Sequence, residues 1–177
     1  MKKKNSIVSI FIRYISIVLL GLGNLTLIYT IFTPLTVYPT LFILNALYGA
    51  SLVASNVISF NGIEIELVTS CIAGAAYFLL IALNLATPMP SKTRLRSILF
   101  LVFTFLILNI FRILFFASLF NQGYTYFDLT HQATWYLGST IFVILLWFVN
   151  IRIFKIKSIP IASDFKFIHS KIRKNKK

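Results

Sequence analysis

SILFLVFTFLILNIFRILFFASLF, residues Ser97–Phe120, decides what kind of protein this is. As a helix rising about 1.5 Å per residue, the run is long enough to cross a hydrocarbon core of about 30 Å. A single charge interrupts it, Arg112, several residues from either end. An Arg at the centre of a spanning helix costs about 2.5–3.5 kcal/mol on insertion scales, so it turns toward protein or a wet cavity and acts there. Asn109 lies one helical turn earlier on the same face. Together they mark a site on an otherwise apolar helix.

The rest of the chain agrees with a lipid solvent. Its 177 residues are 58% hydrophobic and 16% aromatic, with mean hydropathy +0.87, more apolar surface than a soluble domain of this size can bury. Three further runs reach crossing length: Ile7–Phe32, Val68–Thr87 and Gln132–Arg152. Leu35–Ile58 is ambiguous, broken by Pro39 and dotted with Thr36, Thr40, Asn45, Ser51, Ser55 and Asn56. The N-terminal run is too long for a signal peptide and lacks a small-residue cleavage site, so it reads as an uncleaved helix.

Charge assigns the sides. The net charge is +13, and nine of the seventeen basic residues follow Phe148. These clusters flank apolar segments, where the positive-inside rule explains them, and no nucleic-acid partner is expected. Lys92, Arg94 and Arg96 in the loop Pro88–Ser97, the tail, and Lys2, Lys3, Lys4 and Arg13 should all be cytoplasmic. That requires an even number of crossings before Pro88, which makes Leu35–Ile58 a re-entrant or interfacial helix on the outer face. Were it to span, there would be five crossings and an external N-terminus. The expected fold is an all-α polytopic membrane protein with four transmembrane helices, that outer helix and a β-hairpin. It forms one domain, 1–177, with a basic cytoplasmic tail 153–177, in the cell membrane with both termini cytoplasmic.

The hairpin is read from VISFNGIEIELV, residues Val57–Val68. Asn61-Gly62 is a strong two-residue turn signal, and Ile63 to Leu67 alternate, with Glu64 and Glu66 toward water. It leads to Cys71, at the outer end of the second crossing. Arg112 lies about 12 Å below the outer end of the third, and His131 begins the fourth. A thiol, a guanidinium and an imidazole on one leaflet suit thiol acyl transfer. His131 serves as base and cationic neighbour for Cys71, Arg112 as oxyanion donor, Asn109 as its support, and Asp128 as orienter of the imidazole. Each has an ordinary alternative: Cys71 as a packing residue, His131 and Asp128 as interface or cap residues, Asn109 as interhelical glue. One cysteine excludes an internal disulfide, no zinc pattern is present, and no cofactor or metal is expected.

SCIAG at the head of one helix, NIFR inside the next and DLTHQ before the last resemble the archaeosortase/exosortase family. In that family a Cys begins a helix, N-x-x-R follows on the next, and a His or Arg comes after it. The resemblance covers roughly Leu35 to Arg152, and 41 residues separate Cys71 from Arg112. Where many members read C-S-G, this chain has Cys71-Ile72-Ala73. The resemblance implies a sortase-like cysteine transpeptidase or peptidase with its site on the extracytoplasmic face. Its partners would be exported proteins whose C-terminal signal comprises a motif, a hydrophobic helix and a basic end. A membrane lipid would be the acceptor in the archaeal branch. Two other classes stay open: an assembly protein whose Arg112 pairs with an acid on a partner helix, and a small anion transporter.

Overall fold

The computed structural model describes residues 7–156 together with Asp164. The three N-terminal lysines, and the tail 153–177 beyond Ile156 apart from Asp164, lie outside the described residues. Four helical stretches are long and apolar enough to cross a membrane: Thr26–Tyr48, Thr69–Ala86, Ser91–Asn121 and Phe127–Ile153. Large apolar side chains such as Phe42 (76% exposed) and Phe103 (65%) cover the outside of the bundle, as a lipid-facing surface requires. The architecture is that of a helical membrane protein.

The first run breaks where it was not expected to. Helix α1 covers Ile7–Gly21, and α2 covers Thr26–Tyr48. The expected boundary between Phe32 and Leu35 does not exist, because α2 carries both Pro34 and Pro39 inside it. Each proline removes one backbone donor, a loss that a helix packed among apolar neighbours tolerates. The break falls instead where Gly23, Asn24 and Leu25 take φ of 70°, 54° and 60°, a left-handed turn that Gly and Asn admit most readily. No separate outer helix Leu35–Ile58 forms. Gly49 ends α2 with φ 67°, its N–H donating to Asn45 O at 2.8 Å, and Ser51–Ile58 becomes sheet.

That sheet has three antiparallel strands in the order β1 (Ser51–Ala54), β2 (Val57–Phe60) and β3 (Ile63–Glu66). The expected hairpin is present. Phe60 pairs with Ile63 across Asn61-Gly62, whose φ values of 50° and 77° fit a turn with both central residues left-handed.

Contacts fix the path of the chain. Arg13 Nη1 donates to Ala86 O at 3.5 Å, and Gly21 lies against the Phe78 ring, so α1 runs antiparallel to the helix that follows the sheet. Phe32 stacks on Tyr77 at 3.8 Å, and Tyr48 on Phe60 at 5.5 Å. In series, α1 and α2 carry the chain from the Ala86 end of the bundle to the sheet end. Helices α3 (Thr69–Ile72) and α4 (Gly74–Ala86) return it, and α5 (Ser91–Asn121) brings it back to the sheet, where Asn61 donates to Asn121. Helix α6 (Phe127–Ala133), a π-turn Thr134–Gly138 and α7 (Ser139–Ile153) return once more.

Two helices start earlier than expected, since nothing in the sequence breaks them. Lys92, Arg94 and Arg96 lie on the first turns of α5 rather than in a loop, and His131 lies within α6 rather than opening a helix. Tyr77, fully buried between Phe32 and the edge of Phe105 at 4.8 Å, centres the core. Near the Ala86 end, Asn84 Nδ2 donates to Ser97 Oγ (2.5 Å), which donates to Asn150 Oδ1 (2.8 Å). This buried chain ties α4, α5 and α7 together. Arg13, expected at the cytoplasmic surface, is buried within α1. Its Nη2 donates to both carboxylate oxygens of Asp164 at 2.7 Å, and Tyr14 donates to the same group.

Candidate active site

Cys71 sits on a helix that lasts only four residues, Thr69–Ile72. Ala73 takes a left-handed conformation, φ 59° and ψ 39°, and α4 restarts at Gly74. A non-glycine residue there is uncommon and costs about 1 kcal/mol or more, so surrounding contacts must hold it. The Tyr29 ring packs beside this break: a Cβ on Gly74 would stand 2.6 Å from it, so a larger residue there would push the ring aside.

The break leaves carbonyls without their usual helical donors, and Asn109 and Arg112 supply replacements from α5. Asn109 Nδ2 donates to Cys71 O at 2.9 Å and Ile72 O at 3.4 Å. Arg112 Nη2 donates to Ser70 O at 3.3 Å and Cys71 O at 3.2 Å, while Nη1 donates to Ser139 Oγ at 2.7 Å. The polar turn on the apolar helix therefore recognises the backbone around Cys71. These contacts occupy at most three of the five guanidinium N–H groups, and among the described residues Arg112 forms no ion pair.

A cavity of about 230 Å³ opens at the sheet end, lined among others by Cys71, Arg112, His131, Glu64, Glu66 and Phe116. Aromatic packing holds the imidazole of His131, stacked on Phe127 at 5.5 Å and edge-on to Phe116 at 5.1 Å. The three residues expected to carry chemistry thus share one space, and Asn109 braces it from beneath. Asp128 does not join them. It is exposed in the first turn of α6, does not line the cavity, and makes no hydrogen bond to His131 among the described residues.

Ser139, Glu64 and Glu66 are additions. Nothing in the sequence points from Arg112 to Ser139, which pairs only through the packing of α5 on α7. The glutamates carried a usable signal, since alternation put both on one strand face leading to Cys71. A second groove of about 390 Å³ lies beyond α3, lined by Tyr29, Ser70, Gly74, Ser139 and Val143 among others, and Cys71 does not reach it.

Comparison of the chain with protein-family models, with curated proteins and with solved structures returns no match.

Proposed function

We propose that this protein is a membrane-embedded cysteine transpeptidase or peptidase acting on exported proteins that carry a C-terminal membrane tail. The observation that carries the reading is that Cys71, Arg112 and His131 line a single cavity, from three separate helical passes. The Cys71 thiolate attacks the scissile carbonyl, forming a C–S bond, and an N–H of Arg112 left over from the backbone contacts stabilises the oxyanion. The C–N bond then breaks, with His131 returning a proton to the leaving amine. The thioester passes its acyl group to water or to a lipid nucleophile. Among the cavity residues Arg112 is the natural oxyanion donor, because its charge is permanent and its position is fixed by Ser139 and the Cys71 carbonyl.

The basic first turns of α5 stand at the Ala86 end, opposite the cavity. By the positive-inside rule the cavity then faces the extracytoplasmic side and both termini face the cytoplasm. The substrate's hydrophobic tail, anchored in the same bilayer, brings its cleavage motif to the cavity's depth. The assembly and transporter readings gain less support, because the Arg112 contacts lie within the chain and beside the thiol.

The test is co-expression with a reporter ending in a motif, a hydrophobic helix and a basic tail, followed by mass spectrometry of its mature C-terminus. Cys71→Ala should leave the reporter full length while the variant inserts normally. Unchanged processing by that variant refutes the reading.

A further inference from the structure

The cavity is bordered on one side by Glu64, Ile65 and Glu66 of β3 and by Leu67, which follows it. Residues of alternating direction line the same space only when it is the edge of the strand that faces it. β3 is such an edge, since the sheet order ends on it. Its backbone has donors and acceptors to offer. Phe60 and Ile63 close the two-residue turn and form a hydrogen-bonded pair, so Ile58 with Ile65 is the next. By antiparallel alternation, Glu64 and Glu66 aim their N–H and C=O groups away from β2. Glu66 O is taken by the N–H of Val68 at 3.1 Å, which leaves the Glu64 N–H, the Glu64 C=O and the Glu66 N–H at the open edge.

Charge selects the occupant. In a chain of net charge +13, two of the four acidic residues stand on this strand. Both are exposed on one face, with Asn56 Nδ2 donating to Glu66 Oε1 at 3.3 Å. The opposite wall is aromatic, with Phe116, Phe120 and Phe127. We infer that an extended, basic peptide segment of the substrate adds as a fourth strand to the outer edge of β3. Its backbone bonds to Glu64 and Glu66, its Lys or Arg side chains lie beside the two carboxylates, and its alternate side chains meet the aromatic wall. This deepens the proposed function and rests on it: Cys71 follows Glu66 by five residues, so a strand on this edge lies at the mouth of the space the thiol lines.

The test uses Cys71→Ala protein in lipid nanodiscs and an acetylated nine-residue peptide alternating Lys and Val, with a central benzoylphenylalanine. On irradiation, cross-links should map to Glu64–Leu67. N-methylating alternate peptide nitrogens in one phase should lower the yield about threefold to tenfold per blocked bond, while the other phase leaves it unchanged. Replacing Lys by Glu should lower it about twofold to fivefold, and Glu64→Lys with Glu66→Lys should invert that preference. Glu64→Pro removes an edge donor without touching the β2 ladder and should act like the sensitive phase. Cross-links elsewhere, or equal loss in both phases, overturn the inference. A version of the peptide ending in a vinyl sulfone, applied to the wild-type protein, separates the two claims. Phase-sensitive cross-linking without labelling of Cys71 retains the strand and defeats the transpeptidase. Labelling of Cys71 that ignores N-methylation does the reverse.

Discussion

Two of the arginines inside the bundle, Arg13 buried and Arg112 half-buried, are used in opposite ways. Arg13, near the Ala86 end, is closed: its Nη2 donates to both oxygens of Asp164 at 2.7 Å, and Ala86 O and Ser9 O accept from Nη1 and Nε. Its charge is cancelled, and four of its five N–H groups are taken. Arg112, near the sheet, meets only neutral acceptors, two backbone carbonyls and one hydroxyl. Among the described residues it forms no ion pair, some of its donors remain unused, and a thiol and a cavity stand beside it. Burial of a cation at one end serves architecture; at the other it leaves a field available to a reacting group.

The sharpest way to break the comparison is to remove the group the field acts on. Cys71→Ser and Cys71→Ala should both reduce processing of a tailed reporter to background, with normal protein abundance in the membrane fraction. The closed arginine should fail differently. Arg13→Leu strands the Asp164 carboxylate and should cost about 3–5 kcal/mol in unfolding stability. Arg13→Leu with Asp164→Leu should recover most of it, and the folded fraction of either variant should retain its turnover. Arg112→Lys keeps the charge but loses the fork, and should lower turnover by about a hundredfold to a thousandfold. Full turnover in that variant would reduce Arg112 to a helix brace. Asn109→Leu removes two contacts to the carbonyls at the break and should cost about 1–3 kcal/mol, with a loss of turnover that tracks the loosened position of Cys71. Asp128→Asn should change turnover and stability least, within about 0.5 kcal/mol for an exposed position.

The local signals were the legible ones. The three later apolar runs, the Asn61-Gly62 turn and the N-x-x-R face are written in neighbouring residues, and the structure has helix, turn and shared face there. The boundary expected between Phe32 and Leu35 lies instead at Gly23, Asn24 and Leu25. Inside apolar packing a proline costs one hydrogen bond, whereas three successive left-handed residues end a helix. Reading Leu35–Ile58 as helix also hid β1. What could not be read was long-range. Arg13 with Asp164, Asn84 with Ser97 and Asn150, and Arg112 with Ser139 are joined by helix packing, and no spacing along the chain announces them. Asp128 shows the converse, since three residues from His131 along the chain is close in sequence and still out of hydrogen-bond reach.

The π-turn at Thr134–Gly138 acts as a phase adjuster between His131 and Ser139. A widened turn holds one more residue than the α-helical turn it replaces, and each residue of an α-helix advances the face by about 100°. Deleting a single residue there would let the helix run regular with both faces kept, whereas rewinding the turn as α-helix with all its residues in place would swing the imidazole about 100° out of the cavity while Ser139 stayed on the guanidinium. The alignment of acid–base group and oxyanion donor therefore hangs on one loosely wound coil absorbing its extra residue, which makes a further insertion there more damaging than a one-residue deletion.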